Sequence, residues 1–581
     1  MFTVLKKLGW FFKANWKMYT LSIFLLTVVG VIDVVPPKLI GYTIDGINQG
    51  TLGGARFYGT IAAWFGVTIL GYLATAVWWY KLFGSAYLLE RVFRTRLIGH
   101  FMRMNPSFYQ KKNSGDLMAL ATNDVQSIST TVGYGIVTLF DASVFMLTIL
   151  IMMLVTVSAK LTLVSLLPLP VMAILLKAYG SRLHQRFKAV QTAFGQMNSY
   201  VLEAVSGARV VRAFVQEEAS ASIFSSITKK VRDCNIAVAR VDSLIEPTTK
   251  GFIGLSYVIG LAYGGYLVFN SEITLGDLVS FNVFLGMLIW PMFAVGEVVN
   301  IMQRGKASLE RLEETMGFEP DVQDLAVTSS VETPQDIAFD RVTFRYPSTP
   351  FDNLKDVTFK VVHGKTIGIV GRTGSGKTTL LRQLLREFTL RSGSISISGV
   401  PIEGIPISQL RSWIGYVPQQ SYIFSSTIRD NIWFGRDQGT EEELQLVLEQ
   451  TALVRDVQSF PLGLDTTVGE NGIGLSGGQK QRISIARALI TNPEILLLDD
   501  ALSAVDAHTE SEIVHAIRMD RKGKTTFIVT HRMSVTQHAD RILVLEDGRI
   551  TEEGTHDELM ALKGWYSAQY IRQQYEEKLF V

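Results

Sequence analysis

Charged residues are scarce in this chain, and cysteine is almost absent. Only 19% of the 581 residues are Asp, Glu, Lys or Arg, whereas 48% are apolar. This balance is unusual for a soluble enzyme and indicates membrane-spanning segments. The formal net charge of +2 is too small to favour nucleic acid as a partner. The single cysteine, Cys234, excludes an intrachain disulfide and fits a reducing cytosolic face, where it is interpreted as a small packed hydrophobe.

The apolar excess lies in the first half of the chain, which predicts a membrane domain followed by a soluble one. Residues 1–19 are predicted to form an amphipathic elbow helix at the membrane surface, because Leu5–Tyr19 mixes Lys with Trp and Phe. No small-residue cleavage site follows, so a removed signal peptide is not expected. Residues 20–316 are predicted to be the membrane domain.

Six apolar runs occupy this domain, and each is near the ~20 residues that a spanning helix needs. Their approximate limits are Leu21–Ile44, Tyr58–Leu82, Val132–Val157, Leu161–Tyr179, Phe252–Phe269 and Leu278–Met302. The gaps after the second and fourth runs are long and basic, and the positive-inside rule places them in the cytoplasm with both termini. Apolar residues recur at three-to-four spacing in the first of these gaps, so the spanning helices are expected to continue as cytoplasmic arms.

Three carboxylates lie inside the predicted spans, at Asp33, Asp141 and Glu297. Charge inside a membrane is costly and by default functional, so direct contact with a cationic substrate is one interpretation. The other is a partner on a neighbouring helix or a place near the membrane interface. Trp290 belongs to an aromatic and Met-rich set that could line an adaptable substrate cavity, although at least half of that set is expected to face lipid or other helices.

Residues 317–336 are polar and aperiodic and are predicted to be a linker. Beyond them, residues 337–581 alternate predicted strands with predicted helices, which is typical of an α/β domain.

A glycine-rich loop in this domain matches the phosphate-binding pattern with no departure. It follows a predicted buried strand, Thr366–Val370, and precedes a predicted helix, Thr379–Phe388, which is the context the motif requires. The glycines allow backbone N–H groups to close around phosphates at a positive helix end. Lys377 is expected to reach the β- and γ-phosphates and Thr378 to hold Mg²⁺. The predicted nucleotide-binding residues of this segment are Gly371, Arg372, Thr373, Gly374, Ser375, Gly376, Lys377, Thr378 and Thr379.

Two further motifs complete the pattern. Ile495–Leu498 is a run of buried aliphatic residues that ends in Asp499, the second magnesium anchor of such folds. Leu475–Gln479 has the sequence LSGGQ, an anion-binding turn that opens a helix. With these motifs the chain resembles the ATP-binding cassette (ABC) family, for which LSGGQ is close to diagnostic.

The resemblance covers the whole chain and implies the half-transporter layout of multidrug-type exporters. The expected fold is a polytopic α-helical membrane domain with six spans and long cytoplasmic arms, of the type IV exporter kind. It is fused to an α/β P-loop nucleotide-binding domain. ATP and Mg²⁺ are the implied cofactors.

The resemblance also implies roles for five other residues. Tyr346 corresponds to the aromatic residue that stacks on adenine, although a packed strand tyrosine is the alternative. Gln419 corresponds to the glutamine that touches Mg²⁺ and senses the membrane domain. His531 corresponds to the histidine that holds the γ-phosphate. Asp506 resembles a carboxylate that communicates across a cassette dimer, and Glu470 resembles an acidic contact to the arms.

In this family the LSGGQ segment of one cassette closes over ATP held by another. Ser476, Gly477, Gly478 and Gln479 are therefore expected to contact the ATP of a partner chain rather than that of their own.

The chain departs from the family at Asp500, where a glutamate normally positions and deprotonates the attacking water. Aspartate draws the carboxylate back by about one C–C bond. General-base catalysis contributes ~10²–10⁴-fold, and a misplacement near ~1 Å can cost ~10²-fold. Hydrolysis at this chain's own phosphate loop is therefore expected to be slow.

An intact LSGGQ beside a shortened catalytic residue resembles the BmrC-like subunits of bacterial heterodimeric multidrug exporters. The implied partners are a second, different half-transporter, a hydrophobic or cationic drug-like substrate and the bilayer of a bacterial cell membrane. The alternatives are a homodimer in which Asp500 works through an extra water, a lipid flippase of the same architecture, and an ATP-gated channel or sensor.

Overall fold

A computed structural model of the protein describes residues 3–324, 331–436, 439–469, 472 and 474–579. Its internal contacts divide the chain into two compact units. The membrane unit comprises Met1–Gly99 and Gly115–Gly317, and the soluble unit comprises His100–Ser114 and Phe318–Val581. The domain limits drawn from the sequence, at residues 1–19, 20–316, 317–336 and 337–581, stay predictions.

The membrane unit contains the six predicted spans. Among the described residues, six helical stretches are long and apolar enough to cross a bilayer: Trp16–Asn48, Gly54–Phe101, Ser114–Thr156, Ala159–Ser206, Glu217–Phe269 and Leu275–Met316. Several are much longer than the ~20 residues needed to span, as the predicted arms require. Gly54–Phe101, for example, is one unbroken helix of 48 residues.

Two short helices precede the first stretch, and short breaks interrupt most of the stretches. The elements are Thr3–Lys7, Gly9–Ala14, Trp16–Ile32, Val35–Asn48, Gly54–Phe101, Ser114–Ala119, Val125–Val132, Tyr134–Phe140, Met146–Thr156, Ala159–Leu166, Pro168–Ser206, Ala208–Ala213, Glu217–Asp242, Ile245–Phe269, Leu275–Met287 and Ile289–Met316, with π-helical turns at Leu120–Asp124 and Asp141–Phe145.

The N-terminal segment differs from the single helix expected over its first 19 residues. It breaks at Leu8 and again at Asn15, whose side-chain amide donates to the Phe11 carbonyl at 3.1 Å. Such local side-chain hydrogen bonds compete with helix continuation. The segment's apolar side chains pack on the membrane unit itself, since Trp10 lies edge-on to Phe93.

The first span is also broken, between Ile32 and Val35, just ahead of Pro36 and Pro37. Proline has no N–H to donate and its ring clashes with the preceding turn, so it is accommodated where a helix starts afresh. The second half of this span packs closely on Leu275–Met287. At Gly276 a Cβ would lie 2.0 Å from the Gly41 carbonyl oxygen. Small residues are typical of such close helix crossings in membranes.

The soluble unit holds two sheets. A four-stranded antiparallel sheet has the order Leu354–Val361, Ile337–Phe344, Ser392–Ile397, Val400–Pro401. A six-stranded sheet has the order Arg549–Gly554, Arg541–Glu546, Thr366–Gly371, Thr525–Val529, Ile495–Asp499, Ile414–Val417. All neighbours in the second sheet are parallel except the first pair, which forms a hairpin around Asp547 and Gly548.

The helices of the soluble unit are Pro106–Lys111, Lys377–Leu384, Ile407–Ser412, Ile428–Trp433, Glu441–Gln450, Val454–Ser459, Gly477–Leu489, Ala507–Asp520, Met533–Thr536, His556–Leu562 and Trp565–Leu579.

The central strand Ile495–Asp499 shows why its sequence is a continuous apolar run. All five residues are buried. Ile495 and Leu497 pack into one hydrophobic core, whereas Leu496 and Leu498 pack into another on the opposite face. A parallel strand that is covered on both faces has no polar side, so its sequence is a continuous apolar run. Asp499 follows this run at the carboxyl end of the strand.

The segment His100–Ser114 at the tip of the first arm pair packs with the soluble unit. The Asn105 side-chain amide donates to the Glu387 carbonyl at 3.0 Å, and the Phe108 ring lies edge-on to Phe318 at 5.6 Å. This segment therefore belongs to the soluble unit, although it lies between two helices of the membrane unit in the sequence.

Candidate nucleotide-binding site

The glycine-rich loop joins the strand Thr366–Gly371 to the helix Lys377–Leu384, as predicted. Its shape requires glycine at two points. Gly371 has φ +149° and a Cβ there would lie 2.2 Å from the Leu545 carbonyl oxygen, while Gly376 has φ +105° and a Cβ would lie 2.8 Å from the Asn353 carbonyl oxygen. Only glycine tolerates both the backbone angle and the close approach.

Lys377 lies folded over this loop. Its side chain is buried, and Nζ donates to the carbonyl oxygens of Gly371 and Arg372, both at 2.9 Å. Burial lowers the pKa of Lys377, and the charges of Asp500 and Asp499 oppose the shift. The ammonium group is thus held beside the loop's backbone N–H groups, where a phosphate would be drawn.

Ser375, in the same loop, supports the fit of a nucleotide. Its Oγ is buried and has no hydrogen-bond partner within the described part of the chain. Buried hydroxyl groups almost always have a partner, and an unsatisfied one costs free energy. A phosphate oxygen above the loop would supply the missing partner.

Thr378 and Asp499 meet as the magnesium prediction requires. The Thr378 hydroxyl donates to Asp499 Oδ1 at 2.9 Å. Burial raises the pKa of Asp499, while the Thr378 hydrogen bond and the charge of Arg382 oppose the rise. A hydroxyl and a carboxylate oxygen side by side are donors that suit Mg²⁺ bound together with phosphates and water.

Tyr416 is a residue of this site that sequence analysis missed. It lies on the neighbouring strand Ile414–Val417, and its hydroxyl donates to Asp499 Oδ2 at 3.4 Å. Asp499 is therefore held through both carboxylate oxygens. The pairing depends on sheet order, because Ile414–Val417 and Ile495–Asp499 are adjacent strands although more than 70 residues separate them. The sequence does not give that order.

Replacing Tyr416 with phenylalanine is expected to raise the Mg²⁺ concentration needed for half-maximal nucleotide binding about tenfold. Groups that orient a metal ligand typically contribute ~10–100-fold to metal affinity, and the 3.4 Å hydrogen bond belongs at the lower end. The measurement is a Mg²⁺ titration of fluorescent ATP-analogue binding to the full-length protein. Tyr422→Phe is the matched control, since Tyr422 lies on the next loop and is 56% exposed. Equal shifts in the two variants would contradict the role of Tyr416.

Gln419, predicted to touch the metal, lies on an exposed loop just after the strand Ile414–Val417. Val417 is the register partner of Leu498, so the loop leaves the sheet at the edge where Asp499 ends its strand.

Asp500 and His531 lie with Lys377 at this same edge. Asp500 adopts a left-handed backbone, with φ +49°, and its N–H donates to the Val529 carbonyl at 2.9 Å. Burial and the charge of Lys377 lower the pKa of His531, and Asp500 opposes them. The structure therefore brings together three residues from separate motifs.

Tyr346 stands across the start of the helix Lys377–Leu384. Its hydroxyl donates to Thr379 Oγ1 at 3.2 Å, and its ring packs edge-on against Phe344 and Phe388. The ring is half-buried rather than enclosed.

The LSGGQ turn forms a complete N-cap on the helix Gly477–Leu489. Ser476 Oγ accepts from the Gln479 N–H at 3.2 Å, and Gln479 Oε1 accepts from the Ser476 N–H at 2.9 Å. This reciprocal capping box fixes the helix start. Ser476 and Gly477 are solvent-exposed, so the positive helix end faces outward.

Gln481, also missed from the sequence, connects this helix to the segment after Asp500. Its amide donates to Ser503 Oγ at 2.9 Å and accepts from the Ala504 N–H at 2.8 Å, and Ser503 Oγ in turn donates to the Asp500 carbonyl at 3.0 Å. Asp506, further along, caps the helix Ala507–Asp520 by accepting from the Thr509 N–H at 3.0 Å. Glu470 lies outside the described residues.

Two of the predicted substrate residues pair with each other. Trp290 Nε1 donates to Asp141 Oδ2 at 2.9 Å. Glu297 lies 3.5 Å from Arg304 on its own helix. Asp33 is exposed at the break in the first span. Asp141 therefore has a partner on a neighbouring helix, as the alternative interpretation expected, whereas the partner of Glu297 lies on the same helix.

A six-span membrane unit fused to a P-loop unit with an LSGGQ-capped helix defines an ATP-driven membrane transporter. Two family models match the chain: ABC transporter transmembrane region over residues 19–292, and ABC transporter over residues 354–503. The chain belongs to the ABC transporters, and it has the exporter half-transporter layout in which one chain carries both parts. Its cassette is of the kind that binds ATP and couples ATP hydrolysis to transport.

Individual relatives support the same assignment. The chain is 54% identical to the probable multidrug resistance ABC transporter ATP-binding/permease protein YheI of Bacillus subtilis (strain 168), over 99% of this chain and 98% of that protein. It is 38% identical to the multidrug resistance-like ATP-binding protein MdlA of Escherichia coli (strain K12), over 99% and 97%. A solved structure of a bacterial Atm1-family ABC exporter with ATP bound is 26% identical, with a TM-score of 0.79, and covers 96% of this chain and 99% of that one.

Proposed function

We propose that this chain is one half of a heterodimeric multidrug exporter in a bacterial cell membrane, with its termini and cassette in the cytoplasm. The observation that carries the proposal is the contrast within one cassette. The LSGGQ helix end is intact and exposed, whereas the residue at the water-activating position is Asp500.

Nucleotide binding should be complete at this chain's own loop. Lys377 and the loop N–H groups would hold the phosphates, Ser375 Oγ would gain its missing partner, and Tyr346 would support the adenine. Thr378 and Asp499, with Gln419, would hold Mg²⁺, which supplies charge neutralisation on the phosphates when bound. His531 would hold the third phosphate from the opposite side.

Water activation is the weak step at this loop. The Asp500 backbone is fixed by its N–H bond to Val529 and by Ser503 Oγ on its carbonyl. The side chain cannot advance by a backbone shift without breaking these bonds. Its carboxylate therefore stays about one C–C bond short of a glutamate's reach, which favours long retention of ATP over rapid hydrolysis.

The exposed LSGGQ turn can complete a second site on a partner cassette. A partner with glutamate after its own magnesium aspartate would hydrolyse ATP there, and hydrolysis would then be confined to one of two sites. Closure of the cassettes would act on the membrane helices through arm tips such as His100–Ser114, which packs within the soluble unit. Multidrug substrates are proposed because the relatives described above carry that name.

Co-purification tests the heterodimer. Affinity-tagged full-length chain, expressed from its native locus and extracted in mild detergent, is expected to bring down a second cassette chain in equal amount. The pair should hydrolyse ATP faster than the chain purified alone. A homodimer with full ATPase activity, abolished by Asp500→Asn, would overturn the proposal.

Asp33 is the strongest remaining candidate for contact with cationic substrates, because Asp141 and Glu297 have internal partners. Asp33→Asn is expected to lower the efflux of a cationic dye about tenfold, since a hydrogen bond to a charged group contributes ~1.5–3 kcal/mol. Efflux of a neutral dye of similar size should be unchanged. Glu297→Gln is the matched control. In the same inside-out vesicles it should change the ratio of cationic-dye efflux to neutral-dye efflux less than Asp33→Asn does. An equal decrease in the efflux of both dyes in Asp33→Asn would refute the contact.

A further inference from the structure

The loop that carries His531 is held by the helix Trp565–Leu579. Gln573 Nε2 donates to the His531 carbonyl at 2.7 Å, and Gln573 Oε1 accepts from the Met533 N–H at 2.8 Å. One side-chain amide thus binds a carbonyl and an N–H two residues apart, as a neighbouring strand would. The His531 backbone is clamped without any contact to its imidazole ring.

This helix is anchored independently of Gln573. The Glu552 carboxylate accepts from the N–H groups of Trp565 and Tyr566 at the helix start. Tyr566 is fully buried and its hydroxyl pairs with His556 Nδ1 at 2.8 Å. The hydroxyl of Tyr570 donates to Gln537 Oε1 at 3.1 Å. The helix should therefore keep its place when Gln573 is replaced.

The other side of the same loop is tied to the segment that follows Asp500. Arg532 forms an ion pair with Glu510 and donates to the Val505 carbonyl at 3.2 Å. The loop is thus held between two supports, Arg532 on one side and Gln573 on the other. Losing the Gln573 support should let the backbone at His531 move while the rest of the nucleotide site stays intact.

We propose that Gln573 is a positioning residue that holds His531 at the third phosphate of ATP, so that the helix Trp565–Leu579 takes part in distinguishing ATP from ADP. The inference rests on the proposed role of His531, although it does not depend on whether the transporter is a heterodimer. His531 is the residue of this site that adds a contact for ATP and none for ADP. A loosened His531 should therefore weaken ATP binding and leave ADP binding unchanged.

The experiment compares the two nucleotides on the intact transporter. Full-length protein in its native complex is photolabelled with 8-azido-ATP and with 8-azido-ADP in the presence of Mg²⁺, and labelling is read on this chain's band. Gln573→Ala is expected to lower the ATP-to-ADP affinity ratio about tenfold, because it removes both hydrogen bonds that hold the His531 backbone. Gln573→Glu keeps the acceptor for the Met533 N–H but sets a carboxylate oxygen against the His531 carbonyl, so a decrease at least as large as that of Gln573→Ala is expected. Gln574→Ala is the matched control, since the Gln574 amide donates to the Tyr570 hydroxyl on its own helix and, in the described part of the chain, has no hydrogen bond to the His531 loop.

A double-mutant cycle separates positioning from a general structural effect. His531→Ala alone should lower the ratio, and Gln573→Ala should add nothing in that background. Equal losses for ATP and ADP, or a further decrease in the His531→Ala background, would overturn the proposal. An unchanged ATP-to-ADP affinity ratio in His531→Ala would show that His531 does not contact the third phosphate, and the proposal for Gln573 would fail with it. The heterodimer is tested separately by co-purification.

Discussion

Asp500→Glu is expected to raise ATP hydrolysis at this chain's own phosphate loop by on the order of 10²-fold. The added methylene carries the carboxylate forward by about one C–C bond, into the reach of the attacking water. The supports around Asp500 are backbone hydrogen bonds to Val529 and Ser503. They do not use the side chain, so the longer residue can occupy the same backbone.

The backbone at Asp500 opposes this gain only slightly. Its φ of +49° suits aspartate better than glutamate, because Asp and Asn are enriched in the left-handed region. Asp547→Glu is a matched control, since Asp547 has φ +48° in the hairpin turn. It carries the same backbone strain and the same added methylene at a residue outside the predicted site.

The rate at this loop can be read apart from that of a partner. Vanadate trapping of α-labelled 8-azido-ATP, resolved by chain on a gel, reports which cassette has hydrolysed its nucleotide. Asp500→Glu should convert an almost unlabelled band into a strongly labelled one, and Asp500→Asn should stay unlabelled. If the unaltered chain already traps nucleotide fully, Asp500 reaches the water and the homodimer becomes the better model.

Ser476→Ala is expected to lower steady-state ATPase of the assembled transporter by on the order of 10²-fold, the loss typical of removing one preorganised hydrogen-bond donor from a developing charge. Ser476 is exposed at the start of the helix Gly477–Leu489 and would meet the ATP of the partner cassette. The substitution in this chain would therefore slow hydrolysis of the ATP that is bound by the partner cassette.

Loss of the helix cap has to be separated from loss of the phosphate contact. Replacing a capping serine or threonine by alanine costs about 1 kcal/mol of stability. Thr440→Ala removes an equivalent capping box, formed with Glu443 on the helix Glu441–Gln450 in the same unit. It should lose similar thermal stability and keep its ATPase activity. Equal ATPase losses in the two variants would attribute the Ser476 effect to folding alone.

Substitutions at Ser476 and at Asp500 are expected to have unequal effects on ATPase activity in a heterodimer and equal effects in a homodimer. In a heterodimer, Ser476→Ala should remove most of the activity, while Asp500→Asn should remove little because this loop already contributes little. In a homodimer both substitutions affect every site, and both should abolish hydrolysis. The pair therefore distinguishes the assemblies without knowledge of the transported compound.

Much of the nucleotide site could be predicted from the sequence because its signals are local. The spacing of glycines before Lys377, the apolar run before Asp499 and the cap at Ser476 each require only a few consecutive residues. The six spans are equally local, since about twenty consecutive apolar residues suffice to cross a bilayer. The break at Asn15 was missed because it depends on one side chain hydrogen-bonding back to Phe11.

Contacts between distant segments were decided by the tertiary structure alone. Tyr416 reaches Asp499 only because their strands are neighbours in the sheet, and Gln573 reaches the His531 loop only because its helix is anchored at Glu552. Asn105 meets the Glu387 carbonyl across 282 positions of the chain. Sequence periodicity fixes which face of an element is apolar. It does not fix which element covers that face, because strand order and helix docking are set by packing summed over the whole unit.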